Sequence, residues 1–403
     1  MRRIAPTRSR RNIAPVVALV ALLVAPRWSA GQAAGTVCRG GSGGHRSASS
    51  INNDGDNGNA NRTIQISDGD CELMMRSRGD VTVTPALDDI TAVAPGGWVE
   101  VEERSGDTVR RLEIRQNGGT LDRRWSLNGD ADRFDVDKRA WLSGMLIAME
   151  RRTGAFAKTR IPALLKEGGA DAVLREVPLL EGDYPRSLYL MTLLEQPSVD
   201  DRVIDLALST AGSAMSSDYE RGRVLQAVAA RRTAMSDRVA AAFVSAASKM
   251  SSDYEKRRAL SAAISSGAAA HVRPALYEAA TTISSDYERS ELLIAAERAG
   301  GVVGADRDPF FRAVGRFSSD YERRRTLSTL LAEHPKDVDV LRGILQASNA
   351  MSSDYDRAEL LLAFAHAVPL EGDLRDAFVA ASKHIQSDYE YRRVLQAVVN
   401  GRS

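Results

Sequence analysis

Asp, Tyr, Glu and Arg are side chains able to carry proton-transfer or anion-binding chemistry, and in this chain they recur together as one short phrase. Six copies read Ser-Asp-Tyr-Glu or Ser-Asp-Tyr-Asp, beginning at Ser217, Ser252, Ser285, Ser319, Ser353 and Ser387, and a decayed copy is Gly182-Asp183-Tyr184-Pro185. The steps between copies are 35, 35, 33, 34, 34 and 34 residues. A catalytic site made from such a phrase would be present once per copy, which argues for a structural origin. Ser at the N-cap with an acid three residues on is a capping box, in which the hydroxyl accepts from the N3 amide and the carboxylate reaches back to the N-cap amide. Asp at the first helical position adds negative charge beside the positive end of the helix dipole. The six Ser are therefore expected to be caps.

Capping leaves the Tyr and the basic residues unexplained. Tyr184, Tyr219, Tyr254, Tyr287, Tyr321, Tyr355 and Tyr389 follow each Asp, and the simplest expectation is that each ring packs against the adjacent unit with its hydroxyl near the surface. Three residues after the Asp stand Arg186, Arg221, Lys256, Arg289, Arg323 and Arg357, which with the Asp would form an ion-pair ladder between units. Four and five residues after the Asp the chain is mostly basic, with Arg223, Arg257, Arg258, Arg324, Arg325, Arg392 and Arg393. Stacking would line these up as a band suited to an acidic peptide or protein surface through Arg–carboxylate pairs; a solvated face without a partner is the alternative.

Other chemistry is not visible. There is no phosphate-binding Gly-rich loop, no nucleophile elbow and no paired-Cys zinc motif. The Asp/Asn/Gly run from Asn52 to Asn59 lacks the closing Glu and flanking helices of a calcium-binding EF-hand. The expectation is a non-enzymatic chain with no metal and no cofactor.

A period of this regularity implies a stacked array of supersecondary units, each unable to bury its apolar face alone. Seven residues after each Asp comes Leu190, Leu225, Leu260, Leu293, Leu327, Leu361 or Leu395, and three further on Leu193, Val228, Ala263, Ala296, Leu330, Phe364 or Val398. That spacing is the core face of a first helix, A. Before the next Asp, bulky, small and bulky residues recur, as in Phe243, Ala246 and Met250, describing a second helix, B, that crosses closely at the Ala. Residues 182–403 therefore read as an α-solenoid of about seven helix–turn–helix units. The period matches tetratricopeptide repeats, but their Trp-Leu-Gly-Tyr…Pro signature is missing.

Upstream, residues 63–132 alternate apolar and polar residues, as in Thr63–Ile66, Val81–Thr84, Trp98–Glu102 and Leu112–Arg115, with Gly-containing turns between. This predicts a small antiparallel β-domain of about seven strands. Residues 133–181 turn helical, with Trp141, Leu142, Met145, Leu146 and Met149 in one stripe closed by Gly154, and read as a cap on the solenoid's open end. The fold class is thus α+β and multidomain.

The Ser-Asp-Tyr-Glu-Arg phrase, the segment Gly96–Arg104 and Arg139-Ala140-Trp141-Leu142 together resemble the extracytoplasmic repeat region of some BlaR-type sensor metallopeptidases and their stand-alone secreted relatives. The resemblance implies a secreted bacterial α-solenoid of HEAT/tetratricopeptide-like character over roughly residues 60–403. It does not carry a peptidase activity, since none of His45, His271, His334, His366 and His384 lies in an H-E-x-x-H motif.

The amino-terminal 34 residues have the layout of a cleaved signal peptide: an Arg-rich start, an apolar run from Ile13 to Pro26, then small residues. Residues 35–62, rich in Gly, Ser, Asn and Asp, read as a flexible linker. Loss of the six Arg in the first 27 residues lowers the 54 basic residues to 48 against 53 acidic ones, so the mature chain has no bulk electrostatic case for nucleic acid, and no stable membrane insertion is expected. Cys38 and Cys71 either form one disulfide of an exported protein or remain unpaired. The chain is expected to be periplasmic or extracellular, and to be a scaffold or recognition protein binding an envelope protein or peptide through the solenoid. The alternatives are an accessory sensor subunit for a membrane protease or signalling partner, and a hydrolase of envelope polymers.

Overall fold

The computed structural model describes residues 37–38, 48–54, 61–231, 235–265 and 273–400. The expected signal peptide lies outside the described residues. Strands β1 (Ala48–Asp54), β2 (Asn61–Asp68), β3 (Cys71–Arg78), β4 (Val81–Val83), β5 (Ile90–Val93), β6 (Trp98–Ser105), β7 (Thr108–Asn117), β8 (Thr120–Leu127) and β9 (Asp130–Asp132) come first. Seven of them form one sheet in the order β1-β2-β3-β6-β7-β8-β9, and β4 pairs with β5. Every pairing is antiparallel, and the register aligns Ile51, Ile64, Met75, Val101, Leu112 and Trp125 in one row across the sheet. The expected strand segments lie in β2, β4, β6 and β7.

Strand β1 corrects one expectation. Part of the segment read as flexible linker is the edge strand of the sheet, paired along its length with β2. An edge strand is held by backbone hydrogen bonds to one neighbour, and the one bulky apolar residue in this strand is Ile51, so its composition carries almost no strand signal. Cys38 and Cys71 form a disulfide, with their Cα atoms 5.7 Å apart, which fastens the chain ahead of β1 to β3.

Helix α1 (Val136–Thr153) starts on the Asp135 side chain, which accepts from the Asp137 and Lys138 amides, and ends at Gly154 in the left-handed region, φ 66°. Its stripe of Trp141, Leu142, Met145, Leu146 and Met149 is buried in the core of the β-domain. The stripe thus covers the sheet, whereas a cap on the solenoid was expected. Helix α2 (Ala157–Glu176) is kinked at Gly168-Gly169, and it packs on the first solenoid helix.

The solenoid comprises A helices α3 (Asp183–Leu194), α5 (Asp218–Ala230), α7 (Asp253–Ser265), α9 (Asp286–Arg298), α11 (Asp320–Glu333), α13 (Asp354–Ala367) and α15 (Asp388–Asn400). Between them run B helices α4 (Asp201–Ala214), α6 (Asp237–Ser248), α8 (Arg273–Ala280), α10 (Arg307–Val314), α12 (Val338–Ser348) and α14 (Gly372–Ser382). Each A helix packs on the next A helix and each B helix on the next B helix, giving two layers. One apolar core runs continuously between the layers from Ala157 to Val394. The Leu positions from Leu190 to Leu361 are fully buried. Leu395 is only half-buried, because among the described residues α15 has an A neighbour on one side alone. No helix among the described residues is long and apolar enough to cross a membrane.

Candidate binding surface

The repeated phrase places the start of every A helix along one edge of the solenoid. Each predicted cap is made: the Ser217, Ser252, Ser285, Ser319, Ser353 and Ser387 hydroxyls accept from the amide three residues on, at 3.2–3.4 Å. The reciprocal half of the capping box is absent, because the N-cap amide has another acceptor. The Ser252 amide donates to Asp218 Oδ2 at 2.7 Å, and the Ser353 amide to Asp320 Oδ2 at 2.7 Å. The same oxygens accept from the preceding residues, Ser251 and Ser352, through amide and hydroxyl alike. Asp183, Asp253, Asp286 and Asp354 bind the next unit's cap in the same way. Each of these six Asp therefore holds the start of the following A helix rather than serving its own dipole alone.

The other carboxylate oxygen takes the basic residue one turn on. Arg221, Arg289, Arg323 and Arg357, each about 95% buried, contact the Asp218, Asp286, Asp320 and Asp354 carboxylates at 2.6–3.2 Å. Their Nη groups also donate to backbone carbonyls at the ends of two B helices: Arg323 reaches Phe317 O of the preceding one and Ala350 O, at 2.8 Å, of the next. The expected ladder exists, but its rungs between units are side chain to backbone. Burial alone would raise Asp183, Asp218, Asp286 and Asp320, yet the amide and hydroxyl donors and the Arg hold each below the usual carboxylate range.

The Arg band is not free. Arg223 pairs with Glu220, Arg257 with Glu288, Arg258 with Glu255, Arg324 with Asp356, Arg325 with Glu291 and Glu322, and Arg393 with Glu359 and Glu390. Arg392 is exposed. The acids that sequence reasoning assigned to capping boxes thus neutralise the neighbouring Arg, and the band is charge-balanced.

What the band does present is aromatic. The first six Tyr are 49–56% exposed and Tyr389 70%, so the rings are not packed into neighbouring units. Arg guanidinium groups lie over five of them: Arg223 over Tyr184 at 5.7 Å, Arg257 and Arg258 over Tyr254 at 5.4 and 5.5 Å, Arg324 over Tyr321 at 5.4 Å, Arg325 over Tyr287 at 5.5 Å, and Arg393 over Tyr389 at 5.8 Å. Cation–π contacts of this kind hold a ring in place while leaving much of it in water. The outcome is a stripe of positioned Tyr rings, one per unit, separated by internally paired charges.

Sequence reasoning missed the Asp-to-cap relay. Its signal was present in the additional Ser before five of the six caps, at Ser216, Ser251, Ser284, Ser318 and Ser352. No protein-family model, curated protein or solved structure matches the chain.

Proposed function

We propose that the chain is an exported, non-enzymatic recognition or scaffold protein that binds an envelope protein through an extended peptide segment laid along the Tyr stripe. The observation that carries this is the half-exposed Tyr in every unit, a large apolar investment that the packing does not use. Exposed apolar side chains are ordinary singly, whereas an aligned series marks an interaction surface. Packed helices stand roughly 8–10 Å apart, and an extended polyproline-type peptide repeats one face about every 9 Å. Such a peptide would offer one side chain to each successive ring, the mode by which aromatic-lined grooves read extended peptides. The balanced charge of the band favours a segment of low net charge over the acidic one expected from the Arg alone. The signal-like start and the Cys38–Cys71 disulfide support export, since disulfides persist in oxidising compartments.

The test replaces Tyr219, Tyr254, Tyr287 and Tyr321 together by Ser and compares covalent partner adducts in the cell that makes the protein, by crosslinking and mass spectrometry. The reading expects the same helical content and the loss of adducts found with the unaltered chain. Unchanged adducts from the folded variant would remove the stripe from the binding surface.

A further inference from the structure

Where the sheet meets the helices, an open cleft of about 1040 Å³ runs between β1–β3 on one wall and α2–α3 on the other. This lies at the upper end of the roughly 300–1,000 Å³ typical of small-molecule sites, which favour junctions between domains. Its walls carry apolar side chains, among them Ile51, Val81, Ile161 and Leu188, and its charged lining residues are Arg62, Arg152, Lys158 and one acid, Asp80. Arg152 is already held by Asp68 and Glu181, at 3.4 and 2.8 Å.

Arg62 differs. It is half-buried, one Nη2 donates to Ala155 O at 2.9 Å, and its buried Nε has no hydrogen-bond partner among the described residues. None of the ion pairs among the described residues includes it. Burial pushes its pKa down, and the one field opposing that comes from Glu150. The Glu150 oxygens are committed to Tyr189 Oη–H at 2.5 Å and the Phe156 N–H at 2.6 Å, and burial moves Glu150 toward its neutral form. A desolvated guanidinium without a counter-ion is costly, and a buried polar group left short of partners calls for a specific explanation. The four arginines buried at the starts of A helices, Arg221, Arg289, Arg323 and Arg357, by contrast each hold a carboxylate.

We propose that this cleft binds an amphipathic carboxylate, its anionic head on the Arg62 guanidinium with the exposed Lys158 alongside and its apolar body against Ile51, Val81, Ile161 and Leu188. A fatty carboxylate and the C-terminal residues of an apolar peptide share this chemistry. The site is distinct from the run of Tyr rings, although Tyr184 lines both.

The test is calorimetric titration of the full chain with dodecanoate and with dodecanol, and with an apolar tetrapeptide as free acid and as amide. The expected result is saturable one-site binding of at least one carboxylate, with its neutral counterpart weaker by about tenfold or more, the effect of one charge-assisted contact. Dodecanoate alone binding identifies a lipid source, the free peptide alone a peptide source, and both the shared chemistry. Arg62→Gln should weaken binding about tenfold or more without lowering the melting temperature. Ser50→Trp, which fills the rim from an exposed position and keeps Arg62, should block binding and leave the fold intact; this variant decides the matter if Arg62→Gln fails to fold. Binding by neither carboxylate, equal binding of the neutral analogues, or full affinity in folded Ser50→Trp would overturn the site.

Discussion

Asp320 is the best place to measure what joins one unit to the next. One carboxylate oxygen accepts from Arg323 at 2.9 Å, and the other from the Ser352 amide, the Ser352 hydroxyl and the Ser353 amide, each at 2.7 Å. Asp320→Ala deletes all four. Ser352 is exposed and recovers water, so its two bonds count for little; the half-buried Ser353 amide and the buried Arg323 do not recover. A hydrogen bond to a charged group contributes roughly 1.5–3 kcal/mol, and removing one partner of a buried ion pair costs roughly 3–5 kcal/mol. These overlap at Arg323, which keeps its bonds to Phe317 O and Ala350 O, giving an expected loss of ~3–5 kcal/mol. Equilibrium denaturation gives the size and hydrogen exchange gives the place: protection should fall first at Ser353 and the amides just after it. Asp388→Ala is the control, because Asp388 is exposed and holds no following cap among the described residues; it should stay within about 0.5 kcal/mol of the parent. Equal losses at Asp320 and Asp388, or protection lost evenly along the solenoid, would refute the relay.

Leu260→Ala and Leu327→Ala, at fully buried positions, should each cost roughly 2–5 kcal/mol in the same denaturation assay. Ser252→Ala should cost ~0.5–2 kcal/mol and Ser252→Asn should recover most of it. Ser252→Asp should recover less, because the Asp218 carboxylate already sits on the Ser252 amide. Acid should weaken the seams between units: Asp183, Asp218, Asp286 and Asp320 are held below their ordinary values. Their stabilisation is full above the unfolded Asp value of about 3.9 and disappears as pH falls through the lower folded values. A pH series on Asp320→Ala should therefore show a shallower acid loss than the parent chain.

The repeat period, the helix faces and the caps were legible because each rests on a local rule repeated many times: Leu seven after Asp, Ser before it, Ala between bulky residues. The edge strand β1 was not, since its pairing is a backbone matter and Ser and Asn dominate it. The destination of the α1 stripe was equally hidden, because a helical stripe says that a face is buried but not against what. At the candidate binding surface the residues were legible and their partners were not. The Arg at four and five after Asp look free along the chain, yet Glu288 reaches Arg257 and Asp356 reaches Arg324 from the next unit. Those acids match a capping-box pattern whose second bond the preceding Asp displaces. The exposure of the Tyr rings was hidden in the same way, since the Arg that lie over Tyr184, Tyr254, Tyr287, Tyr321 and Tyr389 are themselves held by acids of their own or a neighbouring unit. Arg62 gave no sequence signal at all, since its isolation depends on Glu150 being committed elsewhere.

The central claim, that the Tyr stripe is the binding surface, is tested most directly by placing a photocrosslinking benzoylphenylalanine at Tyr254 or Tyr321 and, for comparison, at the exposed Leu206 and Val338 of the B helices. Irradiation in the cell that makes the protein, followed by mass spectrometry, reads which face touches a partner. The account predicts one and the same adduct from Tyr254 and Tyr321 and none from Leu206 or Val338. Adducts arising equally from both faces, or from the B helices alone, would contradict it.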